Sequence, residues 1–286
     1  MLRIIRKLIL LLLLLATLLM LYVYQSTVIP QQDTLLTNDA NSSAGVQCVT
    51  HQTLAPLDRH GKLDIAIWNI HKQKNNGWQN VLKQLTERTD LLLLQEVSAS
   101  PDFQSLVDEQ SENWVMTKAF LFSGDPVGVM NLSKGYPSSS CSFRYKEPFI
   151  QYPKSLLVSY YQLSDDSQLL VVNIHSINFA VGLDEYRAQM NVVTEAMKAH
   201  SGPIILAGDL NTWSDKRGEY IAAVASSAGL SEAVPRVDSR TRFFGKTPDH
   251  IFYRGLELVN AESIVTDSSD HNPLKAYFRL IKTIPQ

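Results

Sequence analysis

The sequence predicts an α+β protein: a four-layer α/β/β/α sandwich of two mostly antiparallel sheets with helices on the outer faces. Three observations point there. The stretch KSLLVSYYQLSDDSQLLVVNIHSI (154–177) holds two strand-like runs joined at a Ser164–Ser167 turn, a hairpin that pairs its strands antiparallel. DLLLLQEVS (90–98) and PIILAGDLN (203–211) are short apolar runs of the kind buried on both faces. Helix-like runs interleave with these strands from Leu63 onward, and each amphipathic helix needs a sheet to cover.

The first element in the chain is apolar. Residues 8–24 read LILLLLLLATLLMLYVY, without a charge, and no charge follows until Asp33. As a helix this run spans about 25 Å, the lower end of what crosses a bilayer core of roughly 30 Å. Eight consecutive aliphatics leave no polar face for a buried soluble helix. Arg3, Arg6 and Lys7 precede the run, so the positive-inside bias holds the terminus in the cytoplasm and sends the rest across. Tyr22 and Tyr24 stand where an interfacial aromatic anchors the far end. A cleaved signal peptide is the competing reading, but LYVYQSTVIP offers no good Ala-x-Ala site. The expectation is an uncleaved signal-anchor over 1–24 with the folded part extracytoplasmic. A run docked in the cytosol would instead make that part cytoplasmic.

Residues 25–61 mix Gln, Ser, Thr, Asn and Pro without a sustained period, which reads as a flexible tether. Cys48 falls in it and Cys141 beyond it. In an oxidising compartment the two can pair, closing a long loop worth about 4 kcal/mol. Two free thiols are the equal alternative.

The folded domain is expected over 62–281. LDIAIWNI (63–70) alternates and is rich in β-branched residues, and DLLLLQEVS follows as a strand with a polar end. After the hairpin, LDEYRAQMNVVTEAMKAH (183–200) has apolar residues at helical spacing and stops at Ser201-Gly202-Pro203. PIILAGDLN is another strand, 217–229 a helix ending at Gly229, and DHIFYRGLELVNAESIV and PLKAYFRL supply the last strands. Residues 282–286 read as a tail. No internal repeat is present.

Charge and cysteine content narrow the function classes. Lys and Arg number 26 against 28 Asp and Glu, and three of the cations sit in the first seven residues. The remainder is acidic, which disfavours a non-specific coat for nucleic acid. Two cysteines are too few for a disulfide framework or a four-cysteine zinc site.

The chemistry sits at strand ends. Asn69, Glu96, His175, Asp209 and Asn211 each close an apolar strand. Singly, Asn69 can cap a turn, Glu96 can be a solvated strand end, and Asp209-Leu210-Asn211 can be an Asx-turn. Five such endings, all acidic, amide or imidazole, point instead to a site at one rim of the sheets.

Six motifs in order carry a resemblance: Trp68-Asn69-Ile70, Gln95-Glu96-Val97, Asn173-Ile174-His175, Gly208-Asp209-Leu210-Asn211, Pro248-Asp249-His250-Ile251-Phe252 and Ser269-Asp270-His271. Together they resemble the endonuclease/exonuclease/phosphatase superfamily, the fold of deoxyribonuclease I, abasic-site endonucleases, neutral sphingomyelinases and inositol polyphosphate 5-phosphatases. VVNIHSINF, FYRG and SDHNPL are most similar to its YafD-like bacterial branch. The resemblance covers about residues 62–281.

The resemblance implies a metal-dependent phosphoric-ester hydrolase of phosphodiesterase or nuclease type. A phosphodiester is anionic and resists water, so its site needs a cation on the phosphate oxygens and a base on the water. Mg²⁺, with Mn²⁺ as a substitute, prefers one or two carboxylates plus waters and substrate oxygens. Glu96 is the implied metal ligand, with Asn69 and Asp270 completing the shell. Asp209 is the implied general base, Asn211 a donor to phosphate, and His271 a cation oriented by Asp249. His175 is a second imidazole beside the phosphate, with Glu147 as its acidic partner, and Asn173 shares the His175 face. Pro248 stands where many relatives have an aliphatic residue. His250 alternates to the opposite face and is structural, and His71 is expected at the surface. Lys72, Lys74, Lys154, Arg187, Lys216, Arg217, Arg240 and Arg242 are candidate contacts for an anionic substrate. That substrate is nucleic acid, a phospholipid headgroup or a small phosphoester. A non-catalytic, membrane-tethered binding module on the same fold is the other class.

Overall fold

The computed structural model describes residues 2–40, 45–52, 55–110, 112–150, 152–180 and 182–281. The expected 282–286 tail, and 41–44 and 53–54 of the expected tether, lie outside them. In chain order come α1 (Leu2–Ser26), β1 (Thr27–Val28), β2 (Leu35–Thr37), β3 (Cys48–Thr50) and β4 (Lys62–Asn69). A three-residue turn, His71–Gln73, leads to α2 (Trp78–Thr86), β5 (Leu91–Ser98) and α3 (Pro101–Glu109). Then follow β6 (Asn113–Phe122), β7 (Asp125–Ser133), β8 (Ser139–Lys146), β9 (Pro153–Gln162) and β10 (Gln168–His175). The chain closes with α4 (Asp184–Lys198), β11 (Ile204–Asp209), α5 (Asp215–Ser227), β12 (Ser231–Glu232), β13 (Asp249–Arg254), β14 (Leu256–Ser263) and β15 (Leu274–Leu280).

These strands form two sheets. One runs β1-β6-β7-β5-β4-β15-β14, with β2 also on β6, and the other β12-β13-β11-β10-β9-β8-β3. Among the described residues only β4–β5 and β10–β11 pair parallel; the other pairings are antiparallel. The fold is therefore the expected α+β sandwich.

Strand alternation explains the four layers. Ile65 and Ile67 of β4 pack with Val171 of β10 and Ile205 of β11 between the sheets, while Ala66 and Trp68 turn outward to Leu82, Leu85 and Phe103 of α2 and α3. On the other sheet Leu170, Val172 and Ile174 turn outward to Tyr186, Met190 and Val193 of α4 and Ile221 of α5. Strands covered on both faces have no polar face to show, which is why they read as unbroken apolar runs. Each fully buried Leu or Ile contributes about 1.5–3 kcal/mol.

The tether expected over 25–61 is not free-standing. Thr27 and Val28 pair with Phe122 and Leu121, Leu35–Thr37 pair with Val115–Thr117, and Cys48–Thr50 pair with Ser139–Cys141. Leu35, Val49 and Leu57 are buried, and Arg144 holds Asp33 at 2.8 Å. Cys48 and Cys141 face each other in register and are disulfide-bonded. Isolated apolar residues in polar surroundings give no periodic signal, yet Leu35 and Val49 pack with Val115, Val129 and Leu157, and Leu57 joins the main core.

Arg3–Ser26 is long and apolar enough to cross a membrane, and its apolar span is not buried against the rest of the described residues. It runs straight into β1. The Ser123 N–H, in the β6–β7 turn, donates to the Ser26 carbonyl at 2.7 Å.

A candidate active site at the joined strand ends

The two parallel pairs build the site. β4 and β5 point the same way, as do β10 and β11, and their carboxyl ends meet at one rim. His175 lies in register with Asp209, and Asp209 with Asp249 on the antiparallel neighbour β13. The parity that puts Ile65, Ile67, Leu169, Val171, Ile205 and Ala207 between the sheets continues to Asn69, His175 and Asp209 at the open end. Gly208 lets β11 reach that end: a Cβ there would sit 2.2 Å from the Ile174 carbonyl oxygen, and its φ is +132°.

Glu96 breaks the alternation. Regular pleating would place it with Leu92 and Leu94 under the helices. A bulge between Leu94 and Val97 and a φ of +54° turn it into the cleft instead. Asn211 also takes a left-handed conformation, at φ +50°, immediately past β11. Non-glycine residues in this region cluster where function over-rides local strain.

Asp209 is the centre of the cleft and is buried. The Asn69 Nδ2 donates to its Oδ2 at 3.0 Å, and the Asn211 N–H donates to its Oδ1 at 3.0 Å. His175 Nε2 lies 3.5 Å and His271 Nε2 4.0 Å from Oδ2. His175 Nε2 is also 3.7 Å from Glu96 Oε1. Asn211 spends one amide proton on the Ser176 carbonyl at 2.9 Å and keeps the other for the cleft.

The two imidazoles are set to different charge states. His271 Nδ1 bonds Asp249 Oδ2 at 2.7 Å. Burial acts to lower His271, but the adjacent Asp249, together with Asp209 and Asp270, raises it to about 10, so it is a cation at neutral pH. His175 is lowered to about 3 by burial and by Lys154, so it is neutral. The Lys154 ammonium donates to its Nε2 at 2.6 Å. Burial would raise the Glu96 carboxyl, yet charged His175, Lys72 and Lys154 hold it below the usual range. With His175 neutral near pH 7, the two lysines carry that effect. Lys72 is bonded directly to Glu96 Oε2. Three successive left-handed residues, His71, Lys72 and Gln73, deliver it there.

The Ser269-Asp270-His271 segment is stapled to β4. The Ser269 hydroxyl donates to the Asn69 carbonyl at 2.6 Å, and the Trp68 indole N–H donates to the His271 carbonyl at 3.0 Å. Asp270 is exposed at the mouth, 3.6 Å from His71 Nδ1, so His71 reaches the rim rather than open solvent. Asn69, Glu96, His175, Asp209, Asn211, Asp270 and His271 line one cleft of about 470 Å³. Asn178, Phe179, Trp213, Phe243 and Phe244 complete it. Those five were not singled out from the sequence. The available signal was their position in SINF, NTW and RFFG, each next to a strand end.

Several expected roles are corrected by the geometry. Glu147 does not partner His175: both its oxygens accept backbone N–H bonds, from Asn178 at 2.7 Å and Phe179 at 2.8 Å. It therefore fixes the loop that lines the cleft. Asn173 lies below the cleft and joins the sheets, donating to the Leu94 and Met130 carbonyls and Asn131 Oδ1 and accepting from Gln95 Nε2. Arg217 is not a substrate contact. It is 1% exposed and donates to the carbonyls of Ile177, Asn178 and Asn211. Arg240 is spent on Glu232 and Asp238. His250 faces away and bonds Glu232 and Thr212.

The donor set is suited to a hard cation. Carboxylates and an amide dominate, as divalent ions such as Mg²⁺ prefer. The Asp209, Asp249 and His271 ligand atoms lie within 4.8 Å of one another. Asp249 Oδ1 is buried without a hydrogen-bond partner. The close His271–Asp249 bond ties those two side chains together, and Glu96, Asn69 and Asp270 bring further oxygens to the lining of the cleft.

Comparison with known proteins agrees with this geometry. A sequence model described as the Endonuclease/Exonuclease/phosphatase family matches residues 66–271. A UPF0294 protein of Vibrio cholerae is 38% identical over 255 residues, 88% of this chain and 91% of that one. The structure of ANGEL2, a 2′,3′-cyclic phosphatase, superposes with a TM-score of 0.61 at 17% identity, covering 77% of this chain and 95% of its own. The human Nocturnin catalytic domain with a bound sulfate anion gives 0.60 at 18% identity, covering 78% and 96%.

Proposed function

From the premise that the chain belongs to the endonuclease/exonuclease/phosphatase family, we propose that it is a divalent-cation-dependent hydrolase of phosphoric esters, acting on a phosphodiester. One observation carries the reading: side chains from all six scattered motifs, Asn69, Glu96, His175, Asp209 with Asn211, Asp249 and His271, meet in or directly behind a single cleft around Asp209. A binding module on this fold would have no need of a buried His271–Asp249 dyad aimed at a second carboxylate.

Each residue has a chemical part. Asp209, an acceptor aligned by Asn69 and the Asn211 amide, orients the attacking water and takes its proton. His271, kept positive by Asp249, stabilises charge gathering on the phosphoryl oxygens. Asn211 offers its remaining amide proton to the same oxygens, and Lys72 and Lys154 add positive charge at the Glu96 wall. His175, neutral, accepts from Lys154 and holds that lysine in place. Glu96, Asn69 and Asp270 would hold Mg²⁺ or Mn²⁺. When bound, the ion would polarise the phosphoryl group as a Lewis acid.

Arg3–Ser26 serves in this reading as a retained membrane anchor, with the cleft on the extracytoplasmic side. The Cys48–Cys141 bond supports that side, because such bonds persist in oxidising compartments. The full chain, purified in detergent, is to be assayed on a phosphodiester panel with Mg²⁺, Mn²⁺ and chelator. Metal-dependent turnover is expected, and none on any ester sinks the proposal. Protease access in intact versus permeabilised cells tests the side of the membrane.

A further inference from the structure

The catalytic rim is also the rim at which α1 enters the fold. β5 ends there, its antiparallel neighbour β7 begins there, and β6 ends there, with Phe122 opposite Asp125 and paired to Thr27 at the foot of α1. No free tether separates the helix from this edge.

Exposed phenylalanines are confined to the same rim. Phe122 closes β6, Phe149 lies between β8 and β9, Phe179 follows β10, and Phe243 and Phe244 precede β13. The other five phenylalanines are buried or partly buried. Val28 and Ile29, directly after α1, and Ile150 are exposed there as well. Leaving such side chains in water around a polar site is unfavourable, and a contiguous apolar rim marks a surface for a membrane or partner.

A cavity of about 120 Å³ opens beside the cleft, sharing Glu96 and His175 with it. Its charged end is formed by Lys72 and Lys154 with those two residues. Its other wall is apolar: Ala119, Phe120, Val127, Ile150, Tyr152 and Pro153. The Phe120 and Tyr152 rings pack against each other in that wall, with centroids 5.6 Å apart. A nucleic-acid groove needs a track of free cations, but Arg217 and Arg240 are spent inside the protein and the rim carries phenylalanine instead.

We propose that the substrate is a membrane lipid phosphoester, taken from the bilayer that holds α1. Its phosphate sits at Asp209 and His271, and its acyl chain leaves past Phe120 and Tyr152 into the lipid. This rests on the hydrolase reading and adds the substrate class. The phenylalanine rim lies in the headgroup–acyl boundary, where aromatic side chains are favoured.

The test uses the full chain in phosphatidylglycerol and phosphatidylethanolamine nanodiscs. Hydrolysis of these lipids is compared with that of their deacylated glycerophosphodiesters, a single-stranded oligonucleotide and bis(p-nitrophenyl) phosphate. Wild type should cleave lipid about tenfold or more faster than the deacylated ester, the effect of burying roughly two methylenes. In Phe149→Ser/Ile150→Lys, on an exposed loop, that ratio should fall toward one. A ratio near one in wild type, or a preference for the oligonucleotide, overturns the proposal while leaving the hydrolase reading intact. Loss of turnover on every ester, bis(p-nitrophenyl) phosphate included, strikes the hydrolase reading instead. An assay without turnover decides the placement: Phe149→Trp should lose its added emission when the acyl chains are brominated, and undiminished emission overturns the proposal.

Discussion

His271 Nδ1 lies 2.7 Å from Asp249 Oδ2, with both residues buried, and this contact sets the charge of the ring that faces Asp209. Against the effect of burial, Asp249, with Asp209 and Asp270, raises His271 to about 10. Asp249→Asn should therefore bring the alkaline limb of the rate profile down toward neutrality. At pH 8 the rate should fall roughly tenfold. A rate profile across pH 6–10 checks this, and an unmoved alkaline limb contradicts the assignment.

Stability should follow the two imidazoles in opposite directions. A free histidine titrates near 6.5. His271, raised in the fold, contributes stability that is whole below about pH 6.5 and is lost as pH climbs toward 10. His175, lowered to about 3, stays neutral while the unfolded chain takes a proton, so its contribution is lost as pH falls from about 6.5 toward 3. Denaturant titrations of wild type, His271→Gln and His175→Gln over pH 4–10 should give difference slopes of opposite sign.

Asp209→Asn removes the base and should cost about 10²–10⁴-fold in kcat. Glu96→Gln should raise the Mg²⁺ concentration needed for half-maximal rate by more than the ~10–100-fold typical of outer-shell changes. Both should retain the wild-type unfolding midpoint within about 1 kcal/mol. Full activity in either variant refutes its role.

Arg217→Met keeps the apolar stem of the side chain and deletes its donors. Three carbonyls, on Ile177, Asn178 and Asn211, then lose their partner in a dry setting between the Trp213 and Tyr186 rings. A loss of about 3 kcal/mol or more is expected in urea unfolding. Unchanged stability would show that water reaches these carbonyls.

Cys48→Ser with Cys141→Ser should lower stability by about 2–4 kcal/mol, because the bond closes a loop across 93 residues. Unfolding in the presence and absence of reductant gives the same comparison without a substitution.

Much of this architecture could be read in the chain itself. Strands covered on both faces, such as Leu91–Leu94 and Ile204–Ala207, are uniformly apolar, and each run stops two residues before the carboxylate that lines the cleft, Glu96 or Asp209. What escaped was fixed by distant partners. β6 to β8 bury Thr117, Asn131, Ser133, Ser140 and Ser142 between neighbouring strands, so their runs look too polar for a core. β1, β2 and β3 are two or three residues long and exist because β6 and β8 offer open edges. Arg217 looks like any surface cation in sequence, since nothing local tells of the carbonyls waiting for it.

The left-handed backbone at Glu96 has a practical corollary for anyone hardening this protein for use. An L-residue held there costs about 1–2 kcal/mol, and glycine would release most of it. Glycine would also leave the Lys72 and Lys154 ammoniums without their carboxylate partner, a loss of about 3–5 kcal/mol that outweighs the relief. Durability and turnover therefore ask for the same residue at this codon, and a heat-tolerance screen should leave it alone.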